Sequence, residues 1–410
     1  MATPRKISTT DKLNSLLKRA ADLPRPKPAP RYDIESVMPG TTLSTRLGEV
    51  FVAEQSFDSH YSHGSASIIC SSSFSLLSQW SKDPRIAELP LSALAFLDTE
   101  TTGLMGGTGT IPFMVGVARF MDGQLVLKQV FMRDPSEEPA LLEGLADFLA
   151  PAQGLVTFNG KAFDAPILTT RYVLNRIPVP HKGYCHLDLL PLARRLWRDR
   201  LESRALKYLE EHVLGLKRTS EEVPGYEIPW RYQDYLRTRD ARPLEGVFYH
   251  NAMDVVAMAA LLTHMNEMLT NPYEGPVEHG LDFIALGKLF EDMGQWDEAA
   301  RLFERGLQCD ITESDFSVAV KRLSILQKRR GDFEEALRLW EKAATEGHIY
   351  AHIEMAKYYE HKRRDIKSAL QWTRSAIEHV EHGNMPAYER KYWMDEIAHR
   401  LARLERKDGI

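Results

Sequence analysis

The apolar and polar positions of the chain fall into two regimes. Between residues 91 and 190, short apolar runs alternate with amphipathic stretches. Leu94-Ala95-Phe96-Leu97 is too short and too uniformly apolar for an exposed helix and reads as a buried strand. The same criteria predict strands at 113–121, 124–132, 155–158 and near His186–Leu189, with Met121-Asp122-Gly123 as a hairpin turn. Helical periodicity predicts helices over 137–150, about 163–175, most of 191–213 and 244–269. Ser136 is the expected N-cap of the first, with Glu137 and Glu138 in its first turn. Antiparallel strands followed by strands alternating with helices imply an α/β fold, a mixed five-stranded sheet flanked by helices. Upstream, TTLSTRLGEVFVAEQSF alternates as a β-hairpin should, within an accessory segment over 32–90.

After Pro276 the period changes. Leu286, Gly294, Ala299, Phe303 and Gly306 recur 37 residues later as Leu323, Gly331, Ala336, Trp340 and Ala343. A third copy places Ala356, Ala369, Thr373 and Ala376 a further 33 on. A period in the mid-thirties, with small residues where helices cross, predicts all-α repeats of tetratricopeptide type over 277–410. The charged helix expected at about 387–406 suits a cap.

Composition bounds the rest. With 43% hydrophobic and 27% charged residues the chain reads as soluble and globular, without an apolar run long enough to span a membrane. Cys70, Cys185 and Cys309 form no CxxC pair and are expected as reduced thiols of a cytoplasmic protein. A net charge of −5 confines any nucleic-acid site to a local patch. Residues 1–31 hold eight Lys or Arg against Asp11 and Asp22 and end Pro-rich, the composition of a mobile tail with a short helix at 12–21. His60 and His63, without neighbouring acids or cysteines, read as surface or packing residues.

The strand at Leu94 ends in Asp98 and Glu100, which alternation places on one face. Two carboxylates so close repel each other unless a proton or cation lies between them. Two more acids stand out: Asp164, after the fourth predicted strand, and Asp254, in the apolar helix HNAMDVVAMAALL. Oxygen-only ligation by four carboxylates suits Mg²⁺ or Mn²⁺. Two such ions are the apparatus of in-line displacement at phosphodiesters. Asp98, Glu100, Asp164 and Asp254 are therefore the expected metal ligands.

FLDTETTGL, FNGKAFDAPIL and HNAMDVVAMAAL resemble the three exonuclease motifs of the DEDD superfamily, which has a ribonuclease H-like fold. TETTGLMGGTGT, HLDLLPLARRLWRDRLESRALKYLEEHVLG and the repeats after HNAMDV narrow the likeness, over roughly 90–380, to bacterial YprB-type proteins. That resemblance implies a ribonuclease H-like domain over 91–272. It further implies a metal-dependent 3′→5′ DNA exonuclease in DNA repair, working beside a helicase. DEDD enzymes orient the attacking water with a Tyr four or a His five residues before the last Asp. Here the types are exchanged: His250 stands four before Asp254 and Tyr249 five before. Residues four apart differ by ~40° around a helix and five apart by ~140°, so His250 is the expected fifth catalytic residue, with Tyr249 as the alternative.

The expected nucleic-acid contacts are Gly106, Gly107 and Thr108 in the loop after the DxE strand, Asn159 and Lys161 before Asp164, and Arg194, Arg195 and Arg198 in a basic run that also holds Trp197. His186 and Asp188 are expected either behind the ligands or as a satisfied buried pair. The resemblance implies DNA as the substrate, with RNA and internal cleavage as alternatives on the same fold, and a catalytically silent repeat scaffold as the distant one. The repeats are expected to bind a protein partner or to pack on the nuclease domain.

Overall fold

In the computed structural model of the chain, the described residues are 32–103, 109–383 and 385–409. The tail, with its expected helix at 12–21, and Gly106, Gly107 and Thr108 lie outside them.

Seven strands form one mixed sheet: β1 (Thr41–Thr45), β2 (Gly48–Phe57), β3 (Leu94–Thr101), β4 (Pro112–Met121), β5 (Gln124–Phe131), β6 (Gly154–Thr157) and β7 (Cys185–Asp188), in the order β1-β2-β5-β4-β3-β6-β7. The first five strands pair antiparallel, and β3-β6-β7 run parallel. The sheet has seven strands rather than five because the upstream hairpin joins it. Phe51, Val52 and Ala53 are buried and pair with Phe131, Val130 and Gln129. The apolar half of the hairpin thus finds its burial against the edge of β5.

Besides two short helices, Ile34–Val37 and Ser75–Ser81, the helices before the repeats are α1 (Glu138–Leu149), α2 (Asp164–Leu174), α3 (Leu189–Trp197), α4 (Leu206–His212), α5 (Ile228–Thr238) and α6 (Glu245–Thr270). The repeats comprise α7 (Gly280–Asp292), α8 (Trp296–Leu307), α9 (Glu313–Arg330), α10 (Phe333–Thr345), α11 (Ile349–Tyr358), α12 (Ile366–His382) and the cap α13 (Ala387–Asp408). Ser136 does not cap α1. Asp134 accepts the Ser136 amide and opens a 3₁₀ turn, Pro135–Glu137, that leads into the helix.

Alternation along β3 sorts its side chains between two cores. Leu94 and Phe96 face the core that contains Val255, Val256 and Ala259 of α6; Ala95 and Leu97 face the one beneath α1, α2 and α5. By the same parity Asp98 and Glu100 continue the α6 face. The α6 core does not stop at the repeats: Phe283, Leu286, Phe290, Phe303 and Leu323 belong to it. Polar ties reinforce this junction. Arg195 bonds the Lys288 carbonyl at 2.8 Å and the Asp292 carboxylate, Arg200 bonds Asp282 at 2.8 Å, and Lys288 bonds Asp199 at 2.8 Å. No described helix is long and apolar enough to cross a membrane.

Candidate active site

Four acids from three separate segments converge at the end of β3. Asp98 and Glu100 come from the strand itself, and the β5-β4-β3 register aligns Asp98 with Gly116 and Gly116 with Gln129. Asn251, on α6, lies over Gly116: its Nδ2 donates to Asp98 Oδ2 at 2.9 Å, while its Oδ1 accepts from Gln129 Nε2 at 3.0 Å. Gln129 Nε2 also donates to the Phe248 carbonyl at 2.8 Å. A Cβ at position 116 would lie 2.2 Å from Asn251 Oδ1, so only glycine admits this crossing. Asp98 therefore enters the site with one oxygen already oriented.

Asp164 is delivered by the turn between β6 and α2. Asp188 fixes that turn, because its carboxylate accepts the backbone N–H groups of Asn159 at 2.7 Å, Lys161 at 3.1 Å and Leu190 at 3.1 Å. Asn159 takes φ +69°, in the left-handed region that asparagine tolerates better than most residues. Asp164 opens α2 and accepts a hydrogen bond from the Thr99 hydroxyl at 2.5 Å. Of the two residues expected behind the ligands, Asp188 holds the turn, whereas His186 is a satisfied ring, 2.8 Å from Thr157 Oγ1. Burial, with the positive charge of Lys161, lowers the His186 pKa to about 4, which keeps it neutral. The Lys161 side chain is exposed.

Asp254 and His250 share one face of α6, with His250 Nε2 3.6 Å from Asp254 Oδ2. The other oxygen of Asp254 accepts from Arg218 Nη2 at 2.5 Å. Tyr249 turns away: its hydroxyl accepts the Thr219 amide at 3.1 Å. Helix geometry thus brings the residue at i−4, not i−5, to the acid.

The electrostatics are those of a cluster short of positive charge. Burial, followed by the charges of Glu100, Asp254 and Asp164, pushes the Asp98 pKa well above its ordinary value. Glu100 is raised by burial and by Asp254, Asp164 and Glu222, against the pull of Arg218. Asp164 is raised to about 6, burial outweighing its bonds from Thr99. The donor set, hard oxygens that repel one another, has the chemistry of a divalent-cation site. Among the described residues, no group of three or more His, Cys, Asp or Glu already stands at ligating spacing. A cation would have to draw these carboxylates together.

The basic run divides. Arg195 is committed to α7, and Trp197 is fully buried rather than open to stacking. Arg194 and Arg198 remain exposed, the latter 3.3 Å from Asp199. His63 is fully buried, 2.7 Å from Glu210, and His60 is exposed. Sequence reasoning missed Gly116, Gln129, Asn251, Thr99, Arg218 and Glu222. For Asn251 a signal existed, one polar residue beside His250 on an apolar helix. Arg218 and Glu222 sit in a loop without periodicity and left none.

A model of the RNase_H superfamily matches residues 95–266, and a tetratricopeptide-repeat model matches residues 283–308. The uncharacterized protein YprB of Bacillus subtilis (strain 168) is 35% identical over 321 residues, which cover 77% of this chain and 75% of YprB. Among solved structures, the family B DNA polymerase of the hyperthermophilic archaeon Pyrobaculum calidifontis aligns with a TM-score of 0.35 and 16% identity. That alignment covers 49% of this chain and 29% of the polymerase, and at that score the likeness carries no weight.

Proposed function

The chain belongs to the YprB family and carries an RNase H-like domain, and for it we propose metal-dependent 3′→5′ exonuclease activity on DNA, in repair, with a helicase as working partner. The observation that carries this reading is the cluster of Asp98, Glu100 and Asp164: burial and the charges of neighbouring acids raise the pKa values of Asp98 and Glu100, and burial raises that of Asp164. Burying like charges together costs stability and is tolerated where chemistry requires it.

Asp98, Glu100, Asp164 and Asp254 would hold two Mg²⁺ or Mn²⁺ ions, which when bound acidify a water and stabilise charge on the leaving oxygen. The protein's own part is positional. Asn251 orients Asp98, and Thr99 with the Asp188-held turn orients Asp164. His250, whose Nε2 lies 3.6 Å from Asp254 Oδ2, would accept a proton from the attacking water. Lys161, Arg194 and Arg198 are the exposed cations proposed to meet phosphates; salt should then weaken binding steeply.

Labelled single- and double-stranded DNA and RNA of one sequence, incubated with Mg²⁺, Mn²⁺ or EDTA, test the reading. Stepwise shortening of DNA from the 3′ end in either metal, abolished by EDTA, is expected. Faster loss of RNA would move the substrate assignment, internal cuts would move the mode of cleavage, and inertness in both metals would remove the activity.

A further inference from the structure

We propose that Glu222 is a positioning residue of this site: its carboxylate holds Nδ1 of His250 and, through Arg218, one oxygen of Asp254, which fixes the two helix residues relative to each other.

The contacts form one continuous chain, buried at Arg218, Glu210 and His63 and half-buried at its ends. His250 Nδ1 lies 3.0 Å from Glu222 Oε1. Arg218 Nη1 meets both Glu222 oxygens at 3.2 and 3.3 Å, while its Nη2 donates to Asp254 and its Nε donates to Glu210 Oε2 at 2.6 Å. Glu210 Oε1 in turn lies 2.7 Å from His63 Nε2, and His63 Nδ1 lies 3.3 Å from the Tyr61 hydroxyl. The Arg218 side chain is 1% exposed and meets three carboxylates, so its direction is over-determined. A guanidinium stays charged at any working pH and presents its donors in a rigid fork. It can therefore hold Glu222 and Asp254 at a set separation.

The loop that carries both residues is itself anchored. The Leu214 carbonyl accepts the Ser65 amide at 2.7 Å, and a Cβ on Gly64 would lie 2.0 Å from that oxygen. The Leu216 amide donates to Glu210 O at 3.0 Å, and the Thr219 amide donates to Tyr249. The short ladder Ser62–His63 with Ala66–Ser67, α4 and α6 thus close around one loop.

The chemical consequence follows from the donor inventory. A carboxylate only accepts, so the His250 nitrogen bonded to Glu222 carries the proton. The neutral ring then presents Nε2 as its lone pair, on the side of Asp254. This is the carboxylate–imidazole logic by which an acid sets tautomer and orientation without reacting itself. Buried ion networks are poor sources of stability compared with apolar packing. This one ends on two residues of the candidate site, and its placement accounts for its retention.

The test uses the full-length chain and the variants Glu222→Ala, Glu222→Gln and His250→Ala. In protein labelled with ¹⁵N-histidine, with the His250 signal assigned by its loss in H250A, the neutral ring at pH 9 should be the Nδ1–H tautomer. It should change to a mixed or Nε2–H form in E222A and stay Nδ1–H in E222Q, whose amide oxygen still accepts. With Mn²⁺ and single-stranded DNA, E222A should lose about 10–100-fold in kcat with KM little changed, E222Q should recover most of the rate, and the loss in E222A/H250A should fall well short of the product of the single losses. An unchanged ring signal in E222A, or a double variant slower by the product of the single losses, overturns the proposal. The kinetic arm rests on the activity proposed above, and the ring arm does not. A chain inert on every nucleic acid would end the activity reading and leave the positioning to be decided by the spectrum.

Discussion

Two buried carboxylate clusters of this molecule are built on opposite terms. In the repeats, Glu360 has a fully buried side chain and is met by Arg400 at 3.0 Å, Arg403 at 2.6 Å and Lys407 at 2.8 Å, all from the cap α13. Burial alone would raise its pKa, yet Lys407, Arg403 and His361 outweigh burial and lower it. At the end of β3, Asp98 is half-buried and Glu100 buried, but they face other acids, and their pKa values are raised. The first cluster is finished: its carboxylate is fully paired with cations and it pins a helix. The second is left with an excess of negative charge that folding alone does not relieve. Carboxylates gathered against one another at the cost of stability mark where a protein acts on something else, whereas a carboxylate ringed by cations marks where it holds itself together.

That contrast can be broken or sharpened by substitution. Asp98→Ala should cost roughly 10³-fold or more in nuclease rate while raising the melting temperature in EDTA, since one of several repelling charges is gone. A lower melting temperature would mean that the cluster is structural after all. Glu360→Ala should do the reverse, losing about 2–3 kcal/mol of stability, because it leaves partly buried cations unpaired, with the rate per folded molecule unchanged; denaturant melts and active-site-normalised assays separate the two.

Gly116→Ala should lower the rate about 10–100-fold by forcing Asn251 off Asp98, and should shift metal affinity measured by calorimetry. The pH dependence of the repeats follows from Glu360. Its folded pKa lies below the unfolded value, so its contribution is present above the unfolded pKa near 4.5 and disappears as pH falls through the folded one. Acid melts of Glu360→Gln should lack that loss. Smallest of all, Arg195→Ala should cost about 0.5–1 kcal/mol at the α3–α7 junction and leave DNA affinity unchanged. Loss of affinity together with a shallower salt dependence would instead place Arg195 on the phosphates.

The legible part of the candidate site was the part written in local chemistry. Asp98 and Glu100 announced themselves as acids at the end of an apolar run, and Asp254 as an acid inside an apolar helix. The position of His250 beside Asp254 followed from helical spacing once the family resemblance had asked for a fifth residue, since four residues is about one turn. The repeats were legible because each copy repeats the same crossing residues, and α7 to α12 form the three pairs that the period required. What stayed hidden depended on partners far along the chain. Ser136 lost the capping role to Asp134 through a turn that periodicity does not encode. Trp197 and Arg195, read as a nucleic-acid face, are consumed by the core and by α7, which only the docking of the first repeat reveals.

The sequence by itself determined the element types, the repeat architecture and the identity of the acids, because strand alternation, helical period and the cost of burying charge all act over a few residues. The tertiary structure alone decided that the upstream hairpin extends the sheet to seven strands, that Gly116 opens room for Asn251, and that Arg218 and Glu222 reach the site from a loop. Those outcomes depend on which distant surfaces exclude water from one another. Side chains separated by 28 to 153 positions, such as Glu222 from His250 and Asp98 from Asn251, become hydrogen-bond partners only after that exclusion has occurred.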